Sequence, residues 1–170
     1  VHRHERYSFI NDCFIRFGLQ LDHAGPEKFT KSHISDKLRS LMVAHKIIIE
    51  FPEMKEEVIV ELIEESAPET VKAILAKLPI EVMINRWGDE LYTEPMPVKV
   101  GSENAKPVVT LMDVAYWSEG NALCLFFGPT PISKGNEIKP YSPVNVVGRI
   151  VSKENIAKKG MFKSISERIK

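Results

Sequence analysis

From Glu81 to Val151 the sequence alternates short apolar runs with turn-forming segments. The runs are "EVMINRWG", "ELYTE", "PVKV", "VVTLMDVAYW", "ALCLFFG" and "VNVVGRIV". The breaks are "GD", "EPMP", "GSENAKP", "SEGN" and "GPTPISKGNEIKPYSP". Gly, Pro, Asn and Asp at these intervals stop each strand early. Many short strands with a single helix point to a closed, mainly β barrel rather than an α/β sheet. Within it, "ALCLFF" holds no polar residue apart from its thiol and reads as a central strand buried on both faces.

Two more runs lie upstream. "KIIIEF" and "EVIVELI", separated by "PEMKE", read as a hairpin of β-branched strands. In the second, Val58, Val60 and Leu62 point one way and Ile59 and Glu61 the other, as a strand requires. One main helix follows over 67–78. Ser66 and Glu69 have the spacing of a capping box, and Pro68 is tolerated in the first turn. Val71, Ile74, Leu75 and Leu78 share one face, and Pro79 ends the helix. The basic, weakly amphipathic tail "SKENIAKKGMFKSISERIK" reads as a short C-terminal helix or a fraying end.

Residues 1–41 have a different texture. All five histidines lie between His2 and His45. "CFIRFGLQL" alternates partly as a strand does, yet Ile10, Phe14, Phe17 and Leu21 also fit a helical stripe. "SHISDKLRSLM" is the better helix, with Ile34, Leu38, Leu41 and Met42 on one face. We therefore divide the chain into an N-terminal extension, 1–41, and a barrel domain, 42–170. Two accounts of the extension stay open. It is a small appended unit that covers a barrel opening or makes a homo-oligomer, or translation starts at Met42.

Lys and Arg balance Asp and Glu at 23 each, so no net field draws the protein to nucleic acid or anionic lipid. No apolar run approaches a membrane span, and "FINDCFIRFGLQL" is too broken for a signal-peptide core. Cys13 and Cys124 make no disulfide framework, and Cys124 reads as a buried, inert thiol. The expected compartment is the cytoplasm. His2 and His4 form a loose pair of a kind found at exposed termini, and no metal or other cofactor is expected. No phosphate loop, dinucleotide fingerprint, paired-cysteine motif or nucleophile elbow occurs.

Three segments carry a resemblance: "VMINRWGDELYTEPMPVKV", "MDVAYWSEGNALCLFFGPTPIS" and "SPVNVVGRIV". In order and spacing they are similar to the small prokaryotic cyclophilin-like proteins of unknown function. That family's hallmarks are W-G-[DE]-E-[IL]-Y, then D-V-x-Y-W with ALCLFFG-x-TP, then S-x-VNV-[IV]-G. The resemblance spans about Lys46 to Val151 and implies an eight-stranded barrel with fewer helices than the cyclophilin prolyl isomerases. "VELIEESAPETVKAIL" also resembles the strand–helix segment of true cyclophilins. Their catalytic arginine has a loose counterpart in Arg86, but "INRWG" lacks the phenylalanine–histidine before it and the Q-G-G-D after it.

The candidate residues follow. Isomerisation must lower a barrier of about 18–20 kcal/mol. Arg86 is the candidate donor to a prolyl nitrogen, with Phe126, Phe127 or Trp87 gripping the ring; its plainer reading is a solvent-facing strand residue. Trp87, Tyr92, Tyr116 and Trp117 cluster at strand ends, as pocket-mouth aromatics or as core. Glu90 and Asp113 are the candidate acid–base pair, whereas Asp89 reads as a turn carboxylate. Thr130, held between Pro129 and Pro131, presents its hydroxyl at a fixed place, either as a pocket rim or simply to close the barrel. Asn145 needs a partner if buried, in a loop or a ligand. Three functions follow from these sets. The first is a barrel that binds a small molecule or extended peptide in an aromatic-lined pocket. The second is a divergent peptidyl-prolyl isomerase, and the third a small-molecule enzyme using Glu90 and Asp113.

Overall fold

A computed structural model describes residues 14–19 and 45–151, together with Gly160. Eight strands form a closed antiparallel barrel: β1 (Phe14–Leu19), β2 (Lys46–Phe51), β3 (Glu56–Leu62), β4 (Ile80–Trp87), β5 (Glu90–Thr93), β6 (Asp113–Trp117), β7 (Ala122–Phe126) and β8 (Asn145–Ile150). Their order around the barrel is β1-β2-β3-β8-β6-β7-β5-β4, and β4 pairs back onto β1. One helix, α1 (Pro68–Lys77), connects β3 to β4.

The β2–β3 hairpin turns through a 3-10 segment, Pro52–Met54, with Lys55 at φ 55°. Val58, Val60 and Leu62 face the core, as their alternation predicts. All five residues of β7 are buried, so "ALCLFF" is the central strand its composition predicts. In β1, Ile15 and Phe17 are buried, which decides the period of "CFIRFGLQL" as two. That strand lies N-terminal to residue 42, and the barrel closes through it: Arg16 and Phe17 pair with Glu50 and Ile49 on one side and with Glu81 and Ile80 on the other.

Three expectations change. "PVKV" is not a strand. Its backbone is held by a side chain instead: Val98 O accepts from the Tyr116 hydroxyl at 2.7 Å, and Val100 N donates to that hydroxyl at 3.3 Å. "VVTLM" does not extend β6. Met112 at φ 68° breaks the strand, and Thr110 N donates to the Asp113 carboxylate at 2.8 Å. The capping box is absent. The N-cap residue is Ala67, and Glu103, from a distant loop, accepts from the amides of Glu69 and Thr70 at 2.9 Å each. A carboxylate from outside the helix thus serves the first-turn donors that Ser66 was expected to serve.

The C-terminal helix, the Ile34–Met42 helix, Cys13, His2, His4 and His33 lie outside the described residues. Among the described residues no helix is long and apolar enough to cross a membrane.

Candidate ligand pocket on the outer barrel wall

Strand alternation gives the wall β4-β5-β7-β6 two faces. Leu91, Val114, Tyr116, Leu123 and Leu125 point into the barrel and join its main core. Glu90, Tyr92, Cys124 and Phe126 point outward, Glu90 opposite Phe126 and Tyr92 opposite Cys124. Ala115 and Trp117 on β6 continue that face. A second core, with Val109, Ala115, Cys124, Phe126, Ile138 and Val144, forms there. Segment 128–144 covers it.

That cover is tied down at both ends. Phe127 N donates to Asp89 O and Asp89 N to Pro129 O, each at 3.0 Å, so Gly-Pro-Thr-Pro docks on the β4–β5 turn. Gly88 permits the docking: its φ is +63°, and a Cβ there would lie 2.7 Å from Pro131. The buried Thr130 hydroxyl donates to Lys139 O. Thr130 N and Lys139 N both donate to Ser133 Oγ, at 3.0 Å. At the far end Trp117 Nε1 donates to Ser142 Oγ at 2.8 Å.

Between wall and cover lies a cavity of about 170 Å³. Four aromatic residues line it: Trp87 from β4, Tyr92 from β5, Trp117 from β6 and Tyr141 from the cover. Glu90 and Cys124 line it from the wall, Pro140 and Val144 from the cover. The Tyr141 ring stands 6.0 Å from Trp87 at 67° and 5.8 Å from Trp117 at 73°. Tyr141 thus meets each of the two indoles in an edge-to-face contact. Trp117 packs against Gly120, where a Cβ would lie 2.3 Å from the indole.

Glu90 is the charged residue of this cavity. It is 5% exposed, and its Oε2 has no hydrogen-bond partner among the described residues. Burial raises its pKa to about 7, and a hydrogen bond from the Cys124 thiol offsets part of that. Burial also pushes the Cys124 thiol well above its usual range, and the neighbouring Glu90 adds to this. Tyr92 is raised by burial and by the nearby Glu94 and Glu90 carboxylates. Near neutral pH Glu90 therefore exists in both protonation states, while Cys124 stays a thiol.

A family model described as cyclophilin-like matches residues 45–166. The chain belongs to the cyclophilin-like family. It is also similar to a hypothetical protein from Archaeoglobus fulgidus solved in solution: 40% identity, covering 85% of this chain and 84% of that one, with a TM-score of 0.51. No curated protein matches.

The cyclophilin-like barrel brings together four of the residues expected at a site: Trp87, Glu90, Tyr92 and Trp117. The others stand elsewhere. Arg86 is exposed, does not line the cavity, and donates from Nε to Gly88 O at 2.9 Å. Asp113 accepts from Thr110 N and pairs with Arg149 at 3.2 Å. Strand β7 runs between it and Glu90, two strand spacings or about 10 Å. Tyr116 and Phe127 lie in the barrel interior, and Phe126 packs in the outer core without lining the cavity. The Thr130 hydroxyl is engaged with the cover's own backbone.

Asn145 is fully buried and bonded: Nδ2 donates to Gly101 O and Thr70 Oγ1, and Oδ1 accepts from Glu103 N. Its amide bonds a loop, one of the two partners expected for it. Sequence reasoning missed Tyr141, Pro140 and Val144. The signal was an aromatic set between prolines in "KPYSP", a stiffened ring inside an otherwise polar loop. No cluster of three or more His, Cys, Asp or Glu able to hold a metal occurs among the described residues.

Proposed function

We propose that this cyclophilin-like protein binds a small molecule in the cavity between β4-β5-β7-β6 and segment 128–144. The observation that carries the reading is the buried Glu90 carboxyl within a box of Trp87, Trp117 and Tyr141. Aromatic walls with one converging polar group are the usual composition of a ligand site. At about 170 Å³ the cavity suits a small group rather than an extended peptide. Binding here uses the barrel as a rigid floor and the anchored cover as a wall, which lowers the ordering cost.

The test is a small-molecule screen by NMR, reading the indole N–H signals of Trp87 and Trp117. Binders should shift both signals and leave residues on the β2–β3 side unmoved. A broad screen in which no compound shifts either indole would overturn the reading.

A further inference from the structure

The cavity's walls and its one ionisable acid together select a charge type. We propose that the ligand of this pocket is a small organic ammonium ion, held by the faces of Trp87, Trp117 and Tyr141 and by Glu90 Oε2. The inference rests on the pocket reading above and specifies its substrate class.

Three observations converge. Tyr141 meets Trp87 and Trp117 edge-to-face, at 6.0 and 5.8 Å between centroids, and all three rings line the same cavity. A cation above such faces is attracted by the ring quadrupole, and more strongly when desolvated. Glu90 supplies the counter-charge. Its carboxyl is buried in the lining, and Oε2 lacks the donor that a buried carboxylate oxygen requires. An ammonium N–H meets that need, whereas a quaternary nitrogen would supply only the opposite charge. Finally, among the described residues no Lys or Arg lines the cavity, so none of them neutralises the acid there. A carboxylate or phosphate ligand would meet the ionised Glu90 as a like charge in the same cavity.

Protonation adds a consequence. The other titratable groups facing Glu90 are Tyr92 on β5, Cys124 on β7 and Tyr141 on the cover; Trp87 from β4 and Trp117 from β6 add no charge. Tyr92 and Cys124 are both shifted upward and remain neutral between pH 6 and 8. Glu90, at about 7, is the group that changes charge in that interval. The cation requires the ionised form, so affinity rises with pH. From the ionised fraction alone, binding at pH 8 is about tenfold tighter than at pH 6.

The experiment uses shape-matched probes on the full chain. Choline is compared with 3,3-dimethyl-1-butanol, and n-butylammonium with n-butanol, by titration of the Trp87 and Trp117 indole signals at pH 6 and pH 8. We expect at least one cation to bind at least tenfold tighter than its neutral partner at pH 8, and to weaken at pH 6. Glu90→Gln should abolish the pH dependence and reduce the preference to what the rings alone supply. Tyr141→Leu, at an exposed position that keeps an apolar wall, should weaken the cation several-fold and spare the alcohol. Equal binding of cation and alcohol, or tighter binding of the alcohol, overturns the charge assignment and leaves the pocket reading intact. No shift with either cation also overturns it, and the pocket reading is then judged by its own broader screen.

Discussion

The two faces of the β5-β7-β6 wall share the same strands and differ in everything else. Inward, Leu91, Leu123, Leu125 and Val114 are closed over by the other strands of the barrel, and the polar groups are partnered: Tyr116 Oη bonds Val98 O and Asn121 Oδ1, and Thr93 Oγ1 accepts from Leu123 N. Outward, one residue along, lie Glu90, Tyr92, Cys124 and Trp117, covered by a loop that leaves a cavity and an unpartnered carboxylate oxygen. A strand's period of two lets one face carry the fold while the other carries an unsatisfied site. The difference shows where the chain bears a cost: buried polar groups without partners are costly, and this one sits where the main core does not depend on it.

Substitutions on the two faces should separate these roles. The largest effect is expected inside. Leu125→Ala empties part of the main core and should cost about 2–5 kcal/mol in urea unfolding. A cost near zero would mean that the outer core, not the inner, holds the wall. Next comes Glu90. The folded-state pKa is about 7 against a reference of 4.5. Below pH 4.5 the group is protonated whether folded or unfolded. As pH rises from there to about 7 it ionises first in the unfolded chain, so stability falls, then levels off. The change across that window should be about 2–3 kcal/mol, and Glu90→Gln should flatten it. A melting curve whose pH dependence is the same in Glu90→Gln would show that the outer carboxyl is already satisfied.

Thr130→Val removes the bond to Lys139 O and should cost about 1 kcal/mol. It should also speed amide exchange in 133–139 without affecting β7; exchange rising equally in both would dissolve the distinction between cover and wall. The smallest effect on stability is expected at Tyr141, which is 69% exposed. Tyr141→Ala should change the unfolding free energy by no more than about 0.5 kcal/mol, yet reduce ligand-induced shifts of the Trp87 and Trp117 indoles. Loss of stability without loss of those shifts would reverse its assignment from ligand wall to packing residue.

Much of the barrel was legible because strand and helix periods are local. Val58, Val60 and Leu62 announced their face, and Val71 and Ile74 theirs. The helix cap was not legible, because its carboxylate comes from Glu103, more than thirty residues away. "CFIRFGLQL" was undecided because so short a run fits two periods; the open edges of β2 and β4 chose the strand. At the site, Trp87, Glu90, Tyr92 and Trp117 stood out as aromatics and an acid in short motifs. Tyr141 did not, since nothing in a polar loop shows that it folds back over a sheet. Glu90 and Asp113 looked like a pair because chemistry pairs carboxylates; strand β7 stands between them.

What the sequence determined alone is the set of short strands, the single helix between them, and which residues alternate together, because these depend on neighbours one to four positions apart. The tertiary structure decided which alternating face became the interior, which side chain capped the helix, and which aromatics met around Glu90. Those outcomes depend on strand order and on where a loop lands, and both are set by contacts between residues far apart in the chain.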